Sequence, residues 1–285
     1  MTTAATKAGA KKDPHETDVT RPKLIVAIGR QRVGKTTLLK AVTEISRSQG
    51  ANPEIWNTDM MNKSHAIDVL GGDVFSPTQS SVAGQAKWLE QRILDLSKSG
   101  RDAVLDIGGG WTAVHELIQS APLLGTLRRL KVDLVMIFVI GAEEADLDYL
   151  DDLYNRGFNA PRSAVVINEG LLPQSADSDD VLKSVIAHAG VQRTLKKGGR
   201  CVFFPAINGL KQITERKQTF TDYAAGKSVP GLPEPSIFDV MRAQFWLLHD
   251  LPEFMHDLGP EFLPSLPNGL PRIWSQEEVE EMEDV

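Results

Sequence analysis

From Lys23 onward the chain alternates short apolar runs with amphipathic stretches, and the two patterns repeat in a single order. Apolar, β-branched runs at Leu24–Ile28, Glu54–Asn57, Ala103–Asp106, Leu134–Ile140, Ala164–Asn168 and Cys201–Phe204 predict strands buried on both sides. Between them, apolar residues recur at helical spacing, which predicts helices over Gly84–Ser97, Thr112–Ser120 and Ser178–Ala189. No internal repeat is visible. Strand–helix–strand order implies right-handed crossovers, so the expected class is α/β, a mostly parallel sheet with helices on both faces.

The pattern changes at both ends. Residues 1–22 are polar, lack an apolar period and read as a disordered leader. One α/β domain is expected over 23–226. Residues 227–285 read as an extension: a proline-punctuated linker SVPGLPEP, a helix SIFDVMRAQFWLLHD, an extended arm LGPEFLPSLPNGLPR and the acidic SQEEVEEMEDV. Within that helix Trp246, Phe245 and Leu248 suit packing on the sheet or on a partner, and no basic stripe accompanies them as base stacking would need.

The stretch LIVAIGRQRVGKTTLLKAV carries the most specific chemistry. Gly29, Gly34, Lys35 and Thr36 satisfy G-x-x-x-x-G-K-[ST], with a strand before the loop and a helix after it. Such a loop turns the backbone N–H groups of Gly29, Arg30, Gln31, Arg32, Val33, Gly34, Lys35, Thr36 and Thr37 toward an anion, helped by the helix N-terminus. Lys35 is placed to reach the β- and γ-phosphates and the Thr36 hydroxyl to bind Mg²⁺. A metal-holding acid is expected at the end of a neighbouring strand. Asp106 in GRDAVLDIGGGW stands there, followed by Gly108, Gly109 and Gly110. Asp59 ends the strand of Glu54–Asn57, where a water-orienting carboxylate belongs, although NTD is also a good helix cap.

At these residues the chain resembles the ParA/MinD-type ATPases of the deviant P-loop class, over about Lys23 to Gly226. That family shows K-G-G-x-G-K-[ST], D-x-D and D-x-[PG]-[PG]-G. The matching stretches here are RQRVGKT at Arg30–Thr36, NTD at Asn57–Asp59 and DIGGG at Asp106–Gly110. An asparagine and a proline flank the adenine in the family, and Asn168 in VVINEG and Pro205 in VFFPAI match them. The resemblance implies ATP and Mg²⁺ as cofactors, an ATP-dependent homodimer and water positioning by Asp59. Its signature lysine, which reaches the partner subunit's phosphates, is Arg30 here, and two small glycines are Gln31 and Arg32. Arg30 keeps the charge and adds a bidentate fork; Arg32 has no counterpart and is expected to face solvent.

Composition narrows the partners. A formal net charge of −7 argues against general affinity for nucleic acid. Arg128, Arg129 and Lys131, and Lys196, Lys197 and Arg200, form local basic clusters suited to solvated helix ends or to local DNA contact. No run suits a membrane span, and the single Cys201 fits a reducing cytoplasm. His249 and His256 with Asp250 and Asp257 match no zinc spacing and are expected at the surface.

The expected function is therefore a cytoplasmic, ParA-like ATPase switch in plasmid or chromosome partition, positioning or conjugation. Its partners would be itself and DNA or a DNA-binding protein, with the C-terminal arm for docking. The alternatives are a P-loop kinase or ligase of the dethiobiotin-synthetase kind and a nucleotide-gated scaffold with negligible turnover.

Overall fold

The structure is a computed structural model that describes residues 21–58, 67–108, 123–141, 143–156, 160–173 and 177–281. Among the described residues seven strands form one sheet in the order β3–β2–β4–β1–β5–β6–β7. They are β1 (Lys23–Ile28), β2 (Glu54–Asn57), β3 (Val74–Phe75), β4 (Ala103–Asp106), β5 (Asp133–Ile140), β6 (Arg162–Asn168) and β7 (Arg200–Phe204). Every neighbouring pair is parallel. Six of these match the expected runs to within two residues; β3, a single pair of residues, is too short to leave a periodic signal.

Alternation along the strands divides the core in two. Leu24, Val26 and Ile28 of β1, with Leu134, Met136, Phe138 and Ile140 of β5, face one layer. That layer includes α2 (Val82–Ser99), α3 (Leu123–Arg129), α4 (Glu144–Asn155), α5 (Ser178–Ala187) and α6 (Ala189–Lys196). Ile25, Ala27, Val135, Ile137 and Val139 face the other, where α1 (Lys35–Ser48) and the C-terminal helices lie. The run expected as one helix to Ala189 breaks at His188, which is extended and whose ring Nδ1 accepts from Gly190 N at 3.3 Å to cap α6. The helix expected at Thr112–Ser120 lies outside the described residues.

The composition change at Gly226 does not separate the C-terminal segment from the sheet. After α7 (Leu210–Glu215) and α8 (Phe220–Ala224), α9 (Ile237–Phe245), a π-turn (Trp246–Asp250) and α10 (Leu251–Leu258) cover one face. Trp246, Leu251, Phe254, Met255 and Leu258 share the core of β1 and β5. The helix runs past Asp250 because Pro252 sits in the first turn of α10, where its missing N–H costs least. The carbonyl of Leu248, for which Pro252 has no donor, accepts from Trp274 N at 3.0 Å. The arm then crosses the edge opposite the loop after β1. Lys23 Nζ donates to the carbonyls of Pro260 (2.8 Å) and Leu263 (2.7 Å), and Ser265 N to Asp102 Oδ2 (2.5 Å). The last element among the described residues is α11 (Gln276–Glu281).

Lys40, on α1 beneath this layer, gives stability an unusual pH dependence. Its ammonium donates to the Gln218 carbonyl at 2.7 Å and lies 4.5 Å from the centre of the Phe220 ring. Burial pushes it down from 10.5 to about 8, with Glu44 opposing. Between those values the unfolded chain holds the extra proton, so stability rises with pH. Cys201, pushed up by burial from 9.0 to about 11, acts with the opposite sign above pH 9. Unfolding free energy should therefore climb by about 1 kcal/mol between pH 8 and 9 and then flatten. Denaturant titrations of wild type and Lys40→Met check this; a rise that survives in the variant belongs to another group.

Candidate nucleotide-binding site

The site forms at the carboxyl edge of the sheet, where β1 delivers the chain into a loop that returns as α1. Two positions there accept only glycine. Gly29 has φ +154°, and a Cβ would lie 2.3 Å from the Val139 carbonyl oxygen. Gly34 has φ +98°, and a Cβ would meet Asn168 Nδ2 at 2.3 Å. Arg32 also adopts a left-handed backbone, with φ 64°, at a strain of about 1 kcal/mol for a residue with a side chain. The residue is exposed and lines the cleft. Val33 turns into the core, so only its backbone takes part in the loop.

Lys35 follows at the start of α1 and is only 8 % exposed. Its ammonium donates to the carbonyls of Gly29 (3.0 Å) and Arg30 (2.7 Å), which holds it along the loop's rim. Thr36 donates its hydroxyl to Asp106 Oδ2 at 2.8 Å. Asp106 ends β4, opposite Ala27 of β1 and Asn57 of β2. The sheet register alone thus brings the acid to the phosphate loop. Thr36 and Asp106 present adjacent hard oxygens, the donor type that a small divalent cation takes.

Thr58 is a part of this site that motif reading missed. Buried beside β4, it donates its N–H (3.1 Å) and its hydroxyl (2.8 Å) to the Asp106 carbonyl. It therefore fixes the backbone that aims the carboxylate. Within NTD it drew no notice, because its partner is distant in sequence. Asp59, Gly109 and Gly110 lie outside the described residues.

A cleft of about 810 Å³ extends from Gln31, Arg32, Gly34, Lys35, Thr36 and Thr37 to Asn168, Leu171, Pro205, Ile207 and Leu210. One end is cationic and rich in backbone N–H groups; the other is a largely apolar slot. The volume is within the range of small-molecule sites. Asn168 does more than line it. Its Nδ2 donates to the Val33 carbonyl at 2.9 Å and its Oδ1 accepts from Gly170 N at 3.0 Å, so its amide ties the end of β6 to the phosphate loop.

No protein-family model matches the sequence, and no curated protein matches it. Among solved structures it is similar to a nucleotide-binding protein from Archaeoglobus fulgidus in complex with ADP. Identity there is 12%, over 71% of this chain and 88% of that one, with a TM-score of 0.35. It is also similar to the 54 kDa signal recognition particle protein from Aeropyrum pernix K1 in complex with GDP. That match has 14% identity over 87% of this chain and 59% of the other, with a TM-score of 0.37. The fold assignment rests on the chain's own geometry, a phosphate loop joining the first strand to the first helix of an all-parallel sheet. This is a P-loop NTPase fold.

Arg30 is engaged within its own chain. Its Nη1 meets Glu143 Oε2 at 2.5 Å and Asp146 Oδ1 at 3.3 Å. These pairs hold the guanidinium's pKa above its ordinary value, the hydrogen bond it donates to Glu143 most of all. Asp146 is buried, and its other oxygen accepts from Gly141 N at 2.8 Å. The acidic run after β5 was the available signal for this contact, but only the fold shows that β5 neighbours β1.

The remaining candidates lie elsewhere. His249 Nδ1 donates to the Trp274 carbonyl (2.7 Å) and His256 Nε2 to the Pro271 carbonyl (2.9 Å), so both rings pin the C-terminal arm. Among the described residues no group of three or more His, Cys, Asp or Glu is placed to hold a metal. Arg128 and Arg129 end α3 and Lys196 ends α6, at the edge of the sheet away from the cleft. Among the described residues no helix is long and apolar enough to cross a membrane.

Proposed function

We propose that the protein is a ParA/MinD-like switch that binds and hydrolyses ATP with Mg²⁺ and dimerises in its ATP state. The observation that carries this reading is the convergence of Lys35, Thr36 and Asp106 at one end of a cleft that Asn168 and Pro205 also line. In this reading the phosphates lie on the N–H groups of residues 29–36, with Lys35 moving from the loop carbonyls to the β- and γ-phosphate oxygens. Thr36 and Asp106 hold Mg²⁺, which would neutralise phosphate charge when bound. The adenine enters the slot between Asn168 and Pro205. Asp59 keeps its proposed part in orienting water.

The cytoplasm is the proposed location, and partition, positioning or conjugative transfer the proposed setting. The basic clusters at the opposite edge would leave the cleft free for a second copy while DNA or a partner protein is engaged. ATP turnover measured alone and with DNA tests the proposal. Stimulation by DNA supports it; turnover that DNA leaves unchanged, with no ATP-dependent dimer, overturns it.

A second reading, a nucleotide-gated scaffold with negligible turnover, draws on one observation. Arg30 is tied to Glu143 and Asp146, and must leave both before it can meet a partner's phosphates. Arg30→Ala should leave ATP affinity nearly unchanged and abolish the dimer formed with a slowly hydrolysed analogue. Arg30→Lys should keep part of it, since the charge survives without the fork. Light scattering decides: a dimer indifferent to Arg30→Ala confines this arginine to its contacts within the chain.

A further inference from the structure

One wall of the cleft is the short loop after β7, and its residues alternate in direction. Pro205 and Ile207 line the nucleotide cleft. Ala206 and Asn208 line a separate cavity of about 310 Å³ on the other side, against Met241, Phe245 and Trp246 of the C-terminal helix. The loop carries little bulk of its own, so its position depends on what holds it from behind.

Two polar contacts do so. The Trp246 indole Nε1–H donates to the Pro205 carbonyl at 3.2 Å. The Ala206 backbone N–H faces the Glu169 carboxylate, one residue beyond Asn168, and opposes the rise that burial gives its pKa. Trp246 is itself fixed, at 2 % exposure, edge-on to Phe204 with ring centres 6.1 Å apart and tilted on Phe220 at 5.1 Å. Phe204, which also lines the cleft, is therefore held from the same side.

We infer that Trp246 is a positioning residue for nucleotide base binding, acting through the Pro205 carbonyl, so that the C-terminal helix sets the base-side wall of the cleft. The inference rests on the nucleotide reading of the cleft. It gives the C-terminal segment a part in ligand affinity at a distance from the phosphates. Because the wall contacts the base and sugar side alone, its loss weakens binding of a nucleoside triphosphate without touching the phosphate cradle.

Titration calorimetry on the full chain, with Mg·ATP and with Mg·tripolyphosphate, tests this. Trp246→Phe keeps the ring stacking and removes the indole donor. ATP affinity should fall roughly three- to tenfold, the worth of one ordinary hydrogen bond, while tripolyphosphate affinity stays at the wild-type value. An unchanged ATP affinity overturns the inference. So does an equal loss for both ligands, which marks a general loosening of the fold. If Trp246→Phe has no cooperative thermal transition, Glu169→Ala removes the other tie to the loop, and the same split between ligands is expected of it. A wild-type chain that binds tripolyphosphate but not ATP overturns the base slot itself, and one that binds neither overturns the nucleotide reading.

Discussion

Replacing Lys35 by alanine is expected to lower ATP affinity roughly 10- to 100-fold, the range for losing charge-assisted hydrogen bonds in a site shielded from water. The ammonium already sits among the loop carbonyls of Gly29 and Arg30, so binding asks only for a short movement toward the phosphates. Its low exposure restricts competition from solvent. Lys35→Arg is expected to bind poorly as well. The planar guanidinium needs more room and a different donor geometry than a loop closed by Gly29 and Gly34 provides. Calorimetry with Mg·ATP measures the loss, and thermal unfolding shows whether the variant remains folded. A folded Lys35→Ala chain with wild-type affinity would mean that the loop cradles no phosphate.

Much of this site could be read before the fold was known, for a definable reason. The phosphate loop is local: Gly29, Gly34, Lys35 and Thr36 act through backbone turns and a helix N-terminus that neighbouring residues specify. The parallel sheet was equally legible, since strands buried on both faces are continuous apolar runs. Asp106 lay within reach of the same logic, because in a parallel sheet every strand ends on the same edge.

What escaped was pairing between distant segments. Nothing near Thr58 signals that it will clamp the Asp106 backbone, and nothing near Arg30 signals Glu143 and Asp146. The C-terminal segment illustrates a different limit. Its prolines and glycines suggest an appended arm, yet Trp246, Leu251, Phe254 and Leu258 bury against the sheet. Pro252 is accommodated at a helix start, and Trp274, His249 and His256 supply the hydrogen bonds that fasten the arm. Local composition recorded the interruptions, while long-range burial decided the outcome.

Asp106→Asn is expected to remove the enhancement of ATP affinity by Mg²⁺, a loss of roughly tenfold or more from one charged metal ligand. The substitution is close to isosteric. The amide oxygen can still accept from the Thr36 hydroxyl, as Oδ2 does at 2.8 Å, and the Thr58 contacts to the Asp106 carbonyl are backbone contacts that the change does not touch. The local fold should therefore survive, and thermal unfolding should show a transition no lower than that of wild type. Without Mg²⁺ the variant should bind ATP at least as well as wild type, because a carboxylate facing the triphosphate has been made neutral. The two effects separate electrostatics from structure: a mere cap would lose affinity to the same degree with and without the metal. Titrations in Mg²⁺ and in EDTA provide the comparison. If Asp106→Asn still gains affinity from Mg²⁺ as wild type does, the cation is held by other oxygens and Thr36–Asp106 is only a clasp between α1 and β4.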